Sequence, residues 1–264
     1  MERDSVKIKM FWCNDQHFKN YAPNVGEKYI PCYKDYYVKE DVEPNAIALL
    51  REPRSMQPGI YEYIEENYTK FKYVFTHDSI LLSRLPNAKL IIWAGVWGWG
   101  DSKKDFTHPI SMVAPEKAQV PLKVLRKDLA FELQDTIDCY GTYNGGEWAR
   151  CEQYLKNYPF SIVIENYIDD YWITEKICNC FAYKTIPIYL GARKIDELFN
   201  EYGIIHVDSA DDIRVVVKGL LDYGENEYNS RLEYVEDNFE RVKEYEQFED
   251  WFMKQYGDLL RGLL

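Results

Sequence analysis

Short apolar runs alternate with helical stretches along nearly the whole chain, and this rhythm constrains the fold more than any other feature. VKIKMF (6–11), NAIALL (45–50), KYVFT (72–76) and AKLIIWAG (88–95) read as strands, because runs of roughly four to eight apolar or β-branched residues suit a buried pleated surface. GIYEYIEENYTKF (59–71) and SILLSRL (79–85), between them, read as helices. After the Gly/Trp-rich and charged segment GVWGWGDSKKDFTH (95–108) the alternation resumes. Strands are expected at PISMVA (109–114), TIDCYG (136–141), FSIVIEN (160–166), IPIYLG (186–191) and IIHVD (204–208). Helices are expected at 121–134, 147–158, 174–184 and 211–223.

Strands alternating with helices imply parallel sheets covered on their faces, with ligands beyond the carboxyl ends of the strands. The polar break near 100–108 divides the pattern into two Rossmann-like α/β domains, 1–105 and 106–264. The second is expected to end in acidic, aromatic-rich helices from about Asn229. One continuous doubly wound sheet is the alternative.

Composition narrows the function. The formal net charge is −12, so there is no basic surplus for displacing counterions from nucleic acid. No apolar run reaches the roughly 18 residues of a membrane span. The start, MERDSVKIKMFW, has no apolar core like that of a signal peptide, and the end, DLLRGLL, has no basic amphipathic tail. A cytoplasmic chain without stable membrane insertion is the expectation. The cysteines Cys13, Cys32, Cys139, Cys151, Cys178 and Cys180 show no CxxC pair, and free thiols are expected. Cys178 and Cys180 would point about 200° apart on a helix and could not share a metal.

The stretch FSIVIENYIDDYWITEKICNCFAYKTIPIYLG (160–191) places polar residues at a strand end and a helix start, the positions where α/β folds hold ligands. Thr174 is placed to cap a helix whose apolar stripe is Ile177, Cys178, Phe181 and Ala182. Glu175 and Lys176 then fall in the first turn, where unpaired N–H groups and the helix dipole favour an anion such as a diphosphate. Ordinary capping with a solvated Lys176 accounts for the same residues, as turn chemistry does for Glu165-Asn166. His77-Asp78, after KYVFT, suits either the lining of a cleft or, the favoured reading, a cap for the next helix. Trp93, Trp97 and Trp99 among glycines suit either a sugar-holding loop or burial.

Taken together, Phe160, Glu165-Asn166, Trp172-Ile173-Thr174-Glu175-Lys176 and Pro187-Ile188-Tyr189-Leu190-Gly191 resemble the C-terminal signature of the family 10 glycosyltransferases, the α1,3/4-fucosyltransferases. The resemblance implies a GT-B architecture with a GDP-sugar on the C-terminal domain and acceptor determinants on the N-terminal one. It makes Arg126, Glu165, Asn166, Trp172, Thr174, Glu175 and Lys176 the donor-binding set. Arg126 and Lys176 would hold the diphosphate and Glu175 the ribose hydroxyls, with Glu165 and Asn166 near the sugar. LLREPRSMQP similarly makes Glu52 the general base, although pairing with Arg51 or Arg54 on the surface explains that residue too. The family usually has Tyr where Trp172 stands, which bears on donor identity, because indole donates a hydrogen bond and cannot accept one.

The implied reaction is inverting transfer of fucose from GDP-fucose to a glycan hydroxyl, such as one of GlcNAc or glucose in a surface polysaccharide. No cofactor is required. Asp169-Asp170 and Asp208 with Asp211-Asp212 do not form the Asp-x-Asp of metal-dependent transferases, so metal independence is expected. The alternatives are another GDP-sugar as donor, or a non-catalytic module that binds a nucleotide-sugar or glycan.

Overall fold

The computed structural model describes residues 6–11, 21–23 and 26–264; Cys13 lies outside them. The chain forms two compact units, Met1–Trp93 with Gln247–Leu264, and Ala94–Glu246.

The first unit is built on a parallel sheet in the order β1-β2-β3-β4-β5. Its strands are β1 (Ile8–Phe11), β2 (Ile30–Lys34), β3 (Ile47–Leu49), β4 (Tyr73–Thr76) and β5 (Ala88–Leu90). Between them run α1 (Pro58–Asn67) and α2 (Ser79–Arg84). Pro58 opens α1, where a missing N–H costs nothing, and Ile60, Tyr61 and Ile64 form its buried face. The Asp78 carboxylate accepts the Leu81 N–H at 2.8 Å and caps α2, as read from the sequence. Strand β2 was not foreseen. Pro31 and Lys34 break its apolar run, and proline seldom occurs inside a central strand.

The second unit carries β6 (Ile110–Val113), α3 (Pro121–Leu133), β7 (Asp138–Tyr140), α4 (Cys151–Leu155), β8 (Phe160–Ile164), α5 (Glu175–Ala182), β9 (Ile186–Leu190), β10 (Ile205–His206), α6 (Ala210–Ser230) and α7 (Leu232–Val242). Its sheet is also parallel, in the order β10-β9-β8-β6-β7. From β6 the chain steps outward to β7, then returns to add β8 on the other side of β6. Where neighbouring strands send their connections in opposite directions a crevice opens at the carboxyl edge, and α/β sheets bind ligands there. The core on its faces includes Ile110, Met112, Leu129, Phe160 and Ile188. Helix α4 is shorter than the 147–158 expected, because Arg150 is extended and its backbone N–H donates to the Gln153 side-chain oxygen at 2.8 Å, closing the helix start.

The last helix, α8 (Phe248–Arg261), belongs to the first unit. This differs from the expected boundary at 105/106, which assigned the chain end to the second domain. Phe248, Phe252 and Tyr256 recur at i, i+4 and i+8, one face of a helix. The rings of Phe252 and Tyr256 meet Phe75 of β4 edge-on at 4.8 and 4.9 Å, and the Tyr256 hydroxyl donates to the Leu90 carbonyl. Among the described residues no helix is long and apolar enough to cross a membrane.

Candidate active site

A pocket of about 200 Å³ opens at the carboxyl edge of the second unit's sheet. Its walls include Ala114 just after β6, Gly141 just after β7, Arg126 of α3, and Glu175 and Lys176 from the first turn of α5. Gly141 adopts φ +97°, a left-handed conformation costly to other residues, and a Cβ there would run into the Ala114 carbonyl. The residue after β7 therefore has to be glycine for the two strand exits to lie this close.

Thr174 has extended φ and ψ, and its hydroxyl oxygen accepts from the Lys176 N–H at 3.4 Å, so it caps α5 as expected. It does more than cap. Its N–H and hydroxyl donate to Glu165, at 3.2 Å and 2.8 Å. The Lys176 ammonium donates to Glu165 Oε2 at 3.1 Å and to Thr174 Oγ1 at 2.8 Å. Burial pushes the Lys176 pKa down, but the charges of Glu165 and Glu175 outweigh it and the net direction is upward. Lys176 is therefore a fixed, half-buried cation on the pocket wall.

Glu165 was expected near the sugar. It is instead fully buried at the end of β8, engaged with Thr174 and Lys176. An enclosed carboxylate needs donors, and these two supply them. Its place is behind the pocket. Trp172 is buried, Asn166 is half-buried, and both lie outside the pocket lining along with Thr174.

Arg126 is 8 % exposed, and its Nη1 donates to the Ile164 carbonyl at 3.1 Å. Its Nε is buried with no hydrogen-bond partner among the described residues. Burial lowers its pKa, against the pull of Glu165 and Glu175. Buried donors are nearly always paired in native proteins, and a pocket-lining guanidinium that spends one of its five N–H donors on Ile164 is suited to an anionic oxygen.

In the first unit, Glu52 lies just beyond β3, its side chain 29 % exposed and 3.6 Å from Arg51 Nε. Arg54 makes a two-pronged pair with Asp78, both contacts at 2.9 Å, and a further one with Glu65. Of the two surface pairings considered, only that with Arg51 forms, and it is too long for a good hydrogen bond.

The family model for "Glycosyltransferase family 10 (fucosyltransferase) C-term" matches residues 109–258, more than half of the chain. The chain belongs to glycosyltransferase family 10. Its fold is similar to that of a solved α1,3-fucosyltransferase with GDP, at 15% identity and a TM-score of 0.56, over 93% of this chain and 90% of that one. The same enzyme class with GDP-fucose gives 16% and 0.55 over 88% and 83%. A TarM mutant of S. aureus, solved with UDP among its ligands, gives 12% and 0.59 over 88% of this chain and 55% of that one. The architecture is the expected α/β GT-B type with two parallel sheets, and this family 10 member is a glycosyltransferase.

Sequence reasoning missed two walls of this glycosyltransferase's pocket. Trp148 is 66 % exposed and lines it, in a loop read as part of a helix. Asn179 is buried in α5, holds the Trp97 N–H on its Oδ1 at 2.8 Å and leaves its Nδ2 unpartnered among the described residues. A polar residue inside the apolar stripe Ile177 to Ala182 was the available signal. Of the three tryptophans, Trp97 is 63 % exposed on the pocket rim. Trp99 bonds Glu246, and Trp93 packs on Phe248 in the first unit. The five described cysteines are free.

Proposed function

We propose that this glycosyltransferase moves fucose from GDP-fucose to a glycan hydroxyl, with inversion at the anomeric carbon and without a divalent ion. The observation that carries the reading is that Arg126 and the fixed Lys176 ammonium line one pocket at a topological switch point. Membership of the fucosyltransferase family, and likeness to structures solved with GDP and GDP-fucose, support the choice of donor.

In this reading the diphosphate sits on Arg126, Lys176 and the N–H groups opening α5, and Glu175 receives ribose hydroxyls. As the bond from the anomeric carbon to the phosphate oxygen breaks, its electron pair leaves with GDP, and the two cations meet the growing charge. Such groups contribute most where charge develops. The acceptor oxygen forms the new bond on the opposite face and gives its proton to Glu52, a general-base step typically worth ~10² to 10⁴ in rate.

Glu52→Gln should abolish transfer while GDP still binds, and near-normal turnover would remove Glu52 from the role. Activity that disappears in a chelator and returns with Mg²⁺ or Mn²⁺ would contradict metal independence. A panel of GDP-sugars separates GDP-fucose from another GDP-sugar as donor.

A further inference from the structure

We infer that Asp35 is a positioning residue for Glu52, its side chain holding the Arg51-Glu52 backbone in place at the exit of β3; this rests on Glu52 being the base. Strands β2 and β3 are neighbours, with Lys34 opposite Leu49, so their exits emerge side by side. Asp35 immediately follows β2. Its Oδ1 accepts the N–H of Arg51 at 2.8 Å and that of Glu52 at 3.2 Å, taking over the anchoring where the strand ladder stops.

Asp35 achieves this at φ +49°, a left-handed conformation that Asp and Asn adopt more readily than other non-glycine residues and that still costs free energy. Such conformations persist where the surroundings over-determine them, and they concentrate at functional sites. The side chain is also buried, which pushes its pKa up, while the two N–H groups and Lys34 pull it down and Glu52 opposes them. The charged groups acting on it are thus Lys34 and Glu52.

The remaining backbone of Glu52 is held as well. Its carbonyl accepts the Tyr61 hydroxyl at 2.6 Å, and Pro53 behind it restricts Glu52 to extended conformations. On the other side of β3, the Leu50 N–H is held by the Phe75 carbonyl at 2.9 Å. A backbone fixed on each side, carrying a carboxylate whose nearest cation is 3.6 Å away, is the arrangement a general base needs. A plain loop anchor would stabilise the fold without favouring turnover over donor binding.

The test compares Asp35→Ala with Asp35→Asn in the full chain, following GDP release from GDP-fucose with a glycan acceptor panel. The expected result for Asp35→Ala is a fall in kcat of about tenfold or more with donor KM within about twofold, since a displacement near 1 Å costs on that order or more. Asparagine keeps an acceptor oxygen and tolerates the left-handed conformation, so Asp35→Asn should restore most of kcat. Amide exchange at Arg51 and Glu52 needs no substrate. In Asp35→Ala it should quicken by about tenfold while the β3 core amides stay protected, and in Asp35→Asn it should match the native chain. Native turnover by Asp35→Ala, equal impairment by both variants, or unchanged exchange would each overturn the inference. Glu52→Gln, run alongside, keeps the two claims apart. If that variant stays active, the assignment of the base fails; if it is inactive while Asp35→Ala turns over normally, only the positioning role fails.

Discussion

Lys176 Nζ lies 3.1 Å from Glu165 Oε2, and the Thr174 hydroxyl bridges the pair, so one buried carboxylate holds both the cap of α5 and the cation beside it. Removing that carboxylate leaves the Thr174 hydroxyl without its acceptor and the ammonium with only Thr174 Oγ1 and, at 3.5 Å, Glu175. Breaking a buried pair from one side typically costs about 3–5 kcal/mol. Glu165→Ala should therefore lower unfolding free energy in urea by about that amount and weaken GDP binding together with it.

Arg126 should affect binding more than stability. Its Nη1 serves the Ile164 carbonyl, and the side chain lines the pocket. Arg126→Lys keeps the charge but loses the planar fork, and hydrogen bonds to charged groups are worth about 1.5–3 kcal/mol. GDP affinity measured by calorimetry should fall by about tenfold to a hundredfold, with a much smaller change in the urea midpoint.

Gly141→Ala tests the pocket wall from the backbone side. The added methyl meets the Ala114 carbonyl at a positive φ, so about 1–3 kcal/mol of stability should be lost. Thermal unfolding and GDP titration of the variant should both show the damage.

A pH dependence follows from Lys104, which is buried and donates to the carbonyls of Lys156 and Tyr183 at 3.1 and 2.7 Å and to Thr185 Oγ1 at 3.2 Å. Burial lowers its pKa from 10.5 to about 8. Between those values the unfolded chain binds the extra proton, so this group's contribution to stability rises with pH across the window. Compared with Lys104→Met, the native chain should gain about 1–2 kcal/mol between about pH 7.5 and 9.5, read from urea midpoints.

The α/β class, the two sheets and most strands were legible because parallel strands buried on both faces need nearly continuous apolar runs. Strand β2 was not, since Pro31 and Lys34 interrupt its run. Its neighbour Asp35 escaped notice because only tertiary contact brings it to Arg51 and Glu52. The Thr174 cap and the first-turn cation could be read from local chemistry alone. The distinction between Lys176, on the pocket wall, and Glu165, behind it, could not. Both are charged residues at element ends, and burial decides which one faces a ligand. The home of α8 was equally hidden, because an aromatic stripe tells that a helix packs but not on which sheet.

The most direct measurement is calorimetric titration of the full chain with GDP and with UDP, EDTA present throughout, repeated on Lys176→Met. The account predicts that GDP binds the native chain, that UDP binds far more weakly, and that the Lys176 variant loses GDP affinity. Equal or tighter binding of UDP, no GDP binding, or undiminished GDP affinity in the variant would contradict it.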